Sequence, residues 1–260
     1  MRPQVGEYTD ISTSKTGKLT LVGIGPGDRR HITPAAIDAL DDSDVVIGYG
    51  QYLGQISHLV DEKRVLEFPM GREKERALEG LRLALEGLRV VIVSGGDAGI
   101  YGMAAPVFEL ISEMDAADRG LIDVEVVPGV TAASMAASLV GSPLSQDFAV
   151  ISLSDRFVPW EQIERRLEAV ASADMVVVLY EPSSRHRPGH LGRAQEVLLR
   201  HREASTPVAV IREASRPDQT VNITTLGQMT EFKHDMKTVV IVGNSTSTVT
   251  GDWFITPRSY

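Results

Sequence analysis

The segment Ser94-Gly95-Gly96-Asp97-Ala98-Gly99-Ile100-Tyr101-Gly102 sets one carboxylate among glycines, directly after the apolar run Val90–Val93. Glycine frees the backbone for positive φ and for close approach to a ligand. A buried strand that opens into such a turn is where α/β proteins place small-molecule sites. Asp97 can accept hydrogen bonds from a ribose or an amine, while neighbouring N–H groups meet a carboxylate. The competing reading is an aspartate that caps the following helix.

Two further turns have the same position relative to an apolar run. Val22-Gly23-Ile24-Gly25-Pro26-Gly27-Asp28 has glycine spacing similar to a dinucleotide fingerprint. Pro26 lacks the N–H that a phosphate cradle would use. The next strand, ending near Gly48-Tyr49-Gly50, brings no acidic residue to hold a ribose. Val127-Pro128-Gly129-Val130-Thr131-Ala132-Ala133 is the third junction, with Thr131 a natural N-cap and small residues opening a helix. Close packing of that helix on a sheet explains the alanines equally well.

Composition narrows the chemistry. The chain has 260 residues and no cysteine, which excludes disulfides, thiolate zinc, iron–sulfur clusters and a cysteine nucleophile. No Ser–His–Asp or metal-ligand constellation stands out, so no metal is expected and no catalytic residue is assigned. A formal charge of −9 argues against nucleic acid as a partner, because phosphate neutralisation needs a basic face. No apolar stretch has the length of a membrane span. Residues 1–17, polar and without a hydrophobic signal region, read as a flexible cytoplasmic tail.

The elements that must position these turns alternate along the chain. Lys18–Ile24, Asp44–Gly48, Val90–Val93 and Ile122–Val127 read as strands. Helices are expected over Pro34–Leu40, Glu73–Leu88, near Pro106–Met114 and after Thr131. In the second of these, Ala77, Leu78, Leu81, Leu85 and Leu88 form the expected buried face. This alternation predicts a mostly parallel sheet covered by helices. Gly141-Ser142-Pro143 interrupts it. A second series follows, with strands Phe148–Leu153, Met175–Tyr180, Val208–Ile211, Thr220–Thr224 and Thr238–Val242, and with helices around Ile163 and Leu191. The expectation is two α/β domains, 18–142 and 143–260; a single continuous sheet is the alternative. In a parallel sheet the three glycine-bearing turns gather at one carboxyl-end edge.

Gly23-Ile24-Gly25-Pro26-Gly27-Asp28, Gly95–Gly102 and Pro128–Ala133, in this order, resemble the tetrapyrrole methylases, and the likeness runs from about Lys18 to the C-terminus. Asp44–Leu53, Leu179–Arg185 and Thr238–Ser245 are similar to segments of the precorrin-3B C17-methyltransferases within that superfamily. Glu181 stands where that group usually has asparagine, and Arg216-Pro217-Asp218 modifies a Gly-Arg-Glu-like stretch. The resemblance implies two α/β domains of the tetrapyrrole methylase type with an active-site cleft between them. It also implies S-adenosyl-L-methionine as cofactor, a small-molecule tetrapyrrole substrate and a homodimer.

Carried over residue by residue, Pro26, Gly95, Gly96, Asp97, Ile100, Thr131, Ala132, Tyr180 and Ala214 would line the cofactor site. Asp97 is the expected polar contact. Arg156, Arg185, Arg187 and Arg216 are candidates to pair with peripheral carboxylates, since guanidinium offers bidentate contact. His31, Asp155 and Glu181 are candidates for proton handling. The implied reaction is C17 methylation of precorrin-3B with ring contraction to precorrin-4. The absence of cysteine argues against an appended iron–sulfur module and slightly favours the oxygen-dependent route. The alternatives are a tetrapyrrole methylase acting at another ring carbon or on a cobalt-containing intermediate, an RNA or diphthamide methylase, a nicotinamide-dependent dehydrogenase and a non-catalytic tetrapyrrole carrier.

Overall fold

The computed structural model describes residues 16–258. The expected tail therefore lies outside the described residues, except for Thr16 and for Gly17, which begins the first strand. The chain divides into two compact units. One contains the chain up to Ile24 and Ile32–Gly129; the other contains Gly25–His31 and the chain from Val130 onward.

The first unit alternates β1 (Gly17–Gly23), α1 (Pro34–Asp41), β2 (Val45–Tyr49), α2 (Gly50–Gln55), α3 (Ser57–Val60) and β3 (Arg64–Phe68). It continues with α4 (Glu73–Leu85), β4 (Arg89–Ser94), α5 (Ala104–Glu113), α6 (Ala116–Arg119) and β5 (Ile122–Val127). The strands form one parallel sheet in the order β3-β2-β4-β1-β5. Alternate residues face opposite layers. Leu19, Leu21, Val90 and Ile92 pack with Ala77, Leu81 and Val107 of α4 and α5. Val22, Val91 and Val93 pack with Ala36, Leu40 and Ile56 on the other face. Both faces are covered, which is why these strands read as continuous apolar runs.

Helix α4 departs from its expected face. Ala77 and Leu81 are buried, but Leu78 and Leu85 are exposed and Leu88 lies beyond the helix end. The buried stripe runs through Arg76, Ala77, Gly80, Leu81, Leu83 and Ala84. Gly80 sets this rotation: a Cβ there would lie 2.6 Å from Ile92 Cδ1, so the helix meets the sheet along its glycine side.

The second unit contains α7 (Ala132–Ser138), β6 (Gly141–Ser142), β7 (Phe148–Ser152), α8 (Trp160–Ser172), β8 (Val176–Tyr180) and α9 (His190–Leu198). β9 (Pro207–Arg212), β10 (Thr220–Thr225), β11 (Thr238–Val242), β12 (Thr248–Thr250) and β13 (Trp253–Ile255) complete it. Its main sheet has the order β10-β9-β11-β8-β7, and a small sheet has the order β12-β13-β6. Only β7 and β8 of the main sheet are parallel; the other pairings are antiparallel. β9 and β10 follow one another as an antiparallel pair, and the chain then crosses over β9, without an α-helix, to place β11 on its other side.

The division between units falls at Gly129/Val130 rather than between 142 and 143. The reason is α7. Its Ala133, Met135 and Ala136 pack in one cluster with Val176, Val178, Val239 and Ile241 of the second sheet.

Candidate cofactor and substrate site

In the first unit, β4, β1 and β5 are adjacent and parallel, so the turns that follow them meet at one edge. Ile24 N–H donates to Ser94 O at 3.0 Å. The turns touch backbone to backbone: a Cβ on Gly23 would lie 2.7 Å from both Gly129 N and Gly96 O. Gly95 lies flat against the Tyr52 ring, where a Cβ would approach Cε1 to 2.5 Å. Gly96 has φ +68 and Tyr101 has φ 53, both in the left-handed region.

Asp97 ties these turns together. Its Oδ1 accepts the N–H groups of Gly99 at 2.7 Å and Ile100 at 3.1 Å, and its Oδ2 accepts Gly129 N–H at 2.9 Å. A carboxylate offers about four lone-pair directions, so three of them are already used inside the protein. Asp97 therefore organises the loop first. Ile100 is 41% exposed and Tyr101 58%.

In the second unit, Thr131 occupies the N-cap position of α7 without capping it through its own side chain. Tyr180 does so instead. Its hydroxyl oxygen accepts Ala133 N–H at 2.7 Å and lies 2.6 Å from Thr131 Oγ1. Tyr180→Phe is expected to cost about 1–3 kcal/mol of stability, because it leaves the buried Ala133 N–H without a partner. Thr131→Ala keeps that bond and should cost less, as urea denaturation of the two variants would show. Equal losses would contradict this assignment.

Pro26 belongs to the same unit. Its carbonyl accepts Arg216 Nε–H at 2.8 Å, and Asp28 N–H donates to Ser215 Oγ at 3.3 Å. Arg30 beside Asp28 donates two side-chain bonds and a backbone bond to it, lowering its carboxyl to about 2. Ala214 is buried between Glu213 and Ser215, whose φ values are 52 and 64.

The four arginines differ. Arg216 also donates from Nη1 to Glu213 Oε2 at 3.2 Å, and Arg187 donates from Nε to Ser184 Oγ at 3.2 Å. Arg156, exposed, places its guanidinium 4.9 Å from the centre of the exposed Phe157 ring. Arg185 is exposed on the same unit.

The proton-handling candidates also have structural partners. Glu181, at φ 52, accepts Ser152 Oγ–H at 2.7 Å. His31 N–H donates to Asp28 O at 3.0 Å. Asp155 Oδ2 lies 3.5 Å from Nε2 of the buried His190, whose Nδ1 is 2.7 Å from Leu153 O. His190, Glu213, Ser215 and Lys237 carried no motif signal. Only the folded backbone brings Lys237 to Glu213 or His190 to Asp155.

Among the described residues no helix is long and apolar enough to cross a membrane. The family model of the tetrapyrrole (corrin/porphyrin) methylases matches residues 18–230. A probable cobalt-factor III C(17)-methyltransferase of Salmonella typhimurium is 44% identical over 93% of this chain and 99% of its own length. A precorrin-3B C(17)-methyltransferase of Sinorhizobium sp is 39% identical, covering 94% of this chain and 98% of the relative. The chain spans only 45% of a cobalt-factor III methyltransferase of Priestia megaterium, at 41% identity over 94% of this chain.

Among solved structures, the methyltransferase CobJ superposes with a TM-score of 0.87 at 34% identity, covering 93% of this chain and 100% of that one. A uroporphyrin-III C-methyltransferase from Thermus thermophilus, complexed with S-adenosyl homocysteine, gives 0.66 at 26% identity, covering 87% and 92%. With a family model covering most of the chain and relatives matched nearly end to end, this chain belongs to the tetrapyrrole (corrin/porphyrin) methylases and is a methyltransferase.

Proposed function

We propose that this methyltransferase transfers a methyl group from S-adenosyl-L-methionine to C17 of precorrin-3B, with ring contraction to precorrin-4, in cobalamin biosynthesis. The observation that carries the reading is the convergence of the turns after β1, β4 and β5, closed by Asp97, in a chain matched along its length by C(17)-methyltransferases. The reading also takes in a homodimer in the cytoplasm, on the strength of the family resemblance. Pro26 and the loop geometry speak against a nicotinamide-dependent dehydrogenase. Pro26 offers no N–H, and its carbonyl is taken by Arg216.

The residues suit the cofactor. Gly95, Gly96 and Ile100 offer backbone groups and a narrow glycine-lined approach. Ile100 adds an exposed apolar surface, and Asp97 keeps the loop in shape. In the second unit, taken by itself, we assign to the cofactor Thr131 and Ala132 at the start of α7, Tyr180 at the end of β8, and Pro26 and Ala214. When bound, S-adenosylmethionine supplies a methyl group on a sulfonium, already activated for displacement. What the chain must add is orientation of the acceptor carbon at about 3–3.5 Å and in line. A rigid loop held by backbone bonds serves that need. Arg156 and Arg185 are the exposed guanidiniums assigned to substrate carboxylates.

A second reading, cobalt-factor III as acceptor, is favoured by the higher identity to the relative named for it. Incubating the purified protein with labelled cofactor and either precorrin-3B or cobalt-factor III, followed by mass spectrometry, decides between them. The expected product from precorrin-3B carries one added methyl at C17. Turnover of cobalt-factor III alone would establish the second reading, and methylation at another carbon would overturn both.

A further inference from the structure

Strand β9 is followed by the turn Glu213-Ala214-Ser215-Arg216, where two residues with a Cβ hold left-handed backbone on either side of buried Ala214. Such a conformation is disfavoured and persists only when its surroundings over-determine it. Here they do. The Glu213 carboxylate, buried, lies 2.6 Å from Lys237 Nζ, 3.2 Å from Arg216 Nη1 and 3.7 Å from Arg212 Nη2. Glu213 N–H donates to Lys237 O at 3.0 Å, and Arg216 N–H to Glu213 O at 3.0 Å. Ser215 N–H donates to Gln219 Oε1 at 2.8 Å.

From this turn two bonds reach the glycine-rich loop: Arg216 Nε–H to Pro26 O, and Asp28 N–H to Ser215 Oγ. The Arg216 stem lies flat on Gly27, where a Cβ would come within 2.9 Å of Nε. The guanidinium is therefore aimed by Glu213 on one edge and used by a main-chain carbonyl on the other.

We infer that Glu213 and Arg216 are positioning residues for the cofactor site, holding Pro26 and Ala214 in place, and that Arg216 is not a ligand of substrate carboxylates. Lys237, the residue before β11, pairs with Glu213 and anchors the turn to the sheet. Lysine cannot replace Arg216, because a single ammonium does not reproduce the planar fork that serves Pro26 O and Glu213 together. This inference rests on the proposed role of Pro26 and Ala214 in binding S-adenosylmethionine.

The test measures S-adenosyl homocysteine affinity by calorimetry and the separate KM values for cofactor and tetrapyrrole. The proteins are the wild type, Arg216→Ala, Arg216→Lys and Glu213→Gln. Loss of one charge-assisted bond corresponds to roughly tenfold. All three variants are therefore expected to weaken S-adenosyl homocysteine binding and to raise the cofactor KM to that extent, while the tetrapyrrole KM stays near wild type. A raised tetrapyrrole KM in Arg216→Ala, with cofactor affinity intact and Glu213→Gln silent, overturns the inference.

If Glu213→Gln is unfolded, Ser215→Ala serves, since it removes only the acceptor for Asp28 N–H. Faster hydrogen exchange at Asp28 is expected, and unchanged exchange counts against the inference. A wild-type protein that binds no S-adenosyl homocysteine would instead defeat the proposed function, which separates the two failures.

Discussion

Gly129→Ala is expected to cost about 3 kcal/mol of stability and to weaken S-adenosyl homocysteine binding, because there is no space for one added methyl. A Cβ at Gly129 would lie 2.6 Å from Gly23 O and closer still to Gly96 O, both main-chain atoms. Neither can retreat easily. Gly23 ends a strand paired on both sides, with its neighbour Ile24 bonded to Ser94, and Gly96 follows a residue pressed against Tyr52. Gly129 lies outside the positive-φ set, so the effect is steric rather than conformational. Urea denaturation and calorimetry on the same variant measure both consequences. A variant with wild-type midpoint and affinity would mean that the three turns are not a packed unit.

Asp97→Asn is expected to be nearly as severe for binding while remaining nearly isosteric. With the amide oxygen kept toward Gly99 and Ile100, the new NH₂ faces Gly129 N–H, donor against donor. Rotating the amide exchanges one such conflict for two. Losing one hydrogen bond to a charged acceptor costs roughly 1.5–3 kcal/mol. If the loop presents the cofactor contacts, S-adenosyl homocysteine affinity should fall on the order of tenfold to a hundredfold. Thermal unfolding should show a folded protein, since the strands beneath keep their own pairing. Asp97→Asn with unchanged affinity would sink the role given to this carboxylate.

Much of this was legible in the primary structure because glycine and apolar runs act locally. A buried parallel strand must be apolar on both faces, and a turn packed against two others must lack side chains; both demands write themselves into residue types. The order of the three glycine-bearing turns, with the segments around Gly48, Tyr180 and Gly243, was enough to point to the tetrapyrrole methylases. Helix α4 shows the limit. Its leucines suggested a face that Gly80 rotated away, because closeness of approach, rather than hydrophobicity alone, selects the buried side.

Polar assignments were the least legible, since a carboxylate or guanidinium has no fixed partner until the chain has folded. Asp97 read as a ligand contact, and the structure gives it three backbone N–H groups. Thr131 read as a cap, and the cap is the hydroxyl of Tyr180, far along the chain. Arg216 read as a substrate contact, and its Nε–H goes to the carbonyl of Pro26. The amino-acid sequence by itself determined which strands are buried, which turns must be bare of side chains and which family they mark. Only the tertiary structure decided which polar groups those turns consume internally, because hydrogen-bond partners distant in sequence meet only when the sheets have formed.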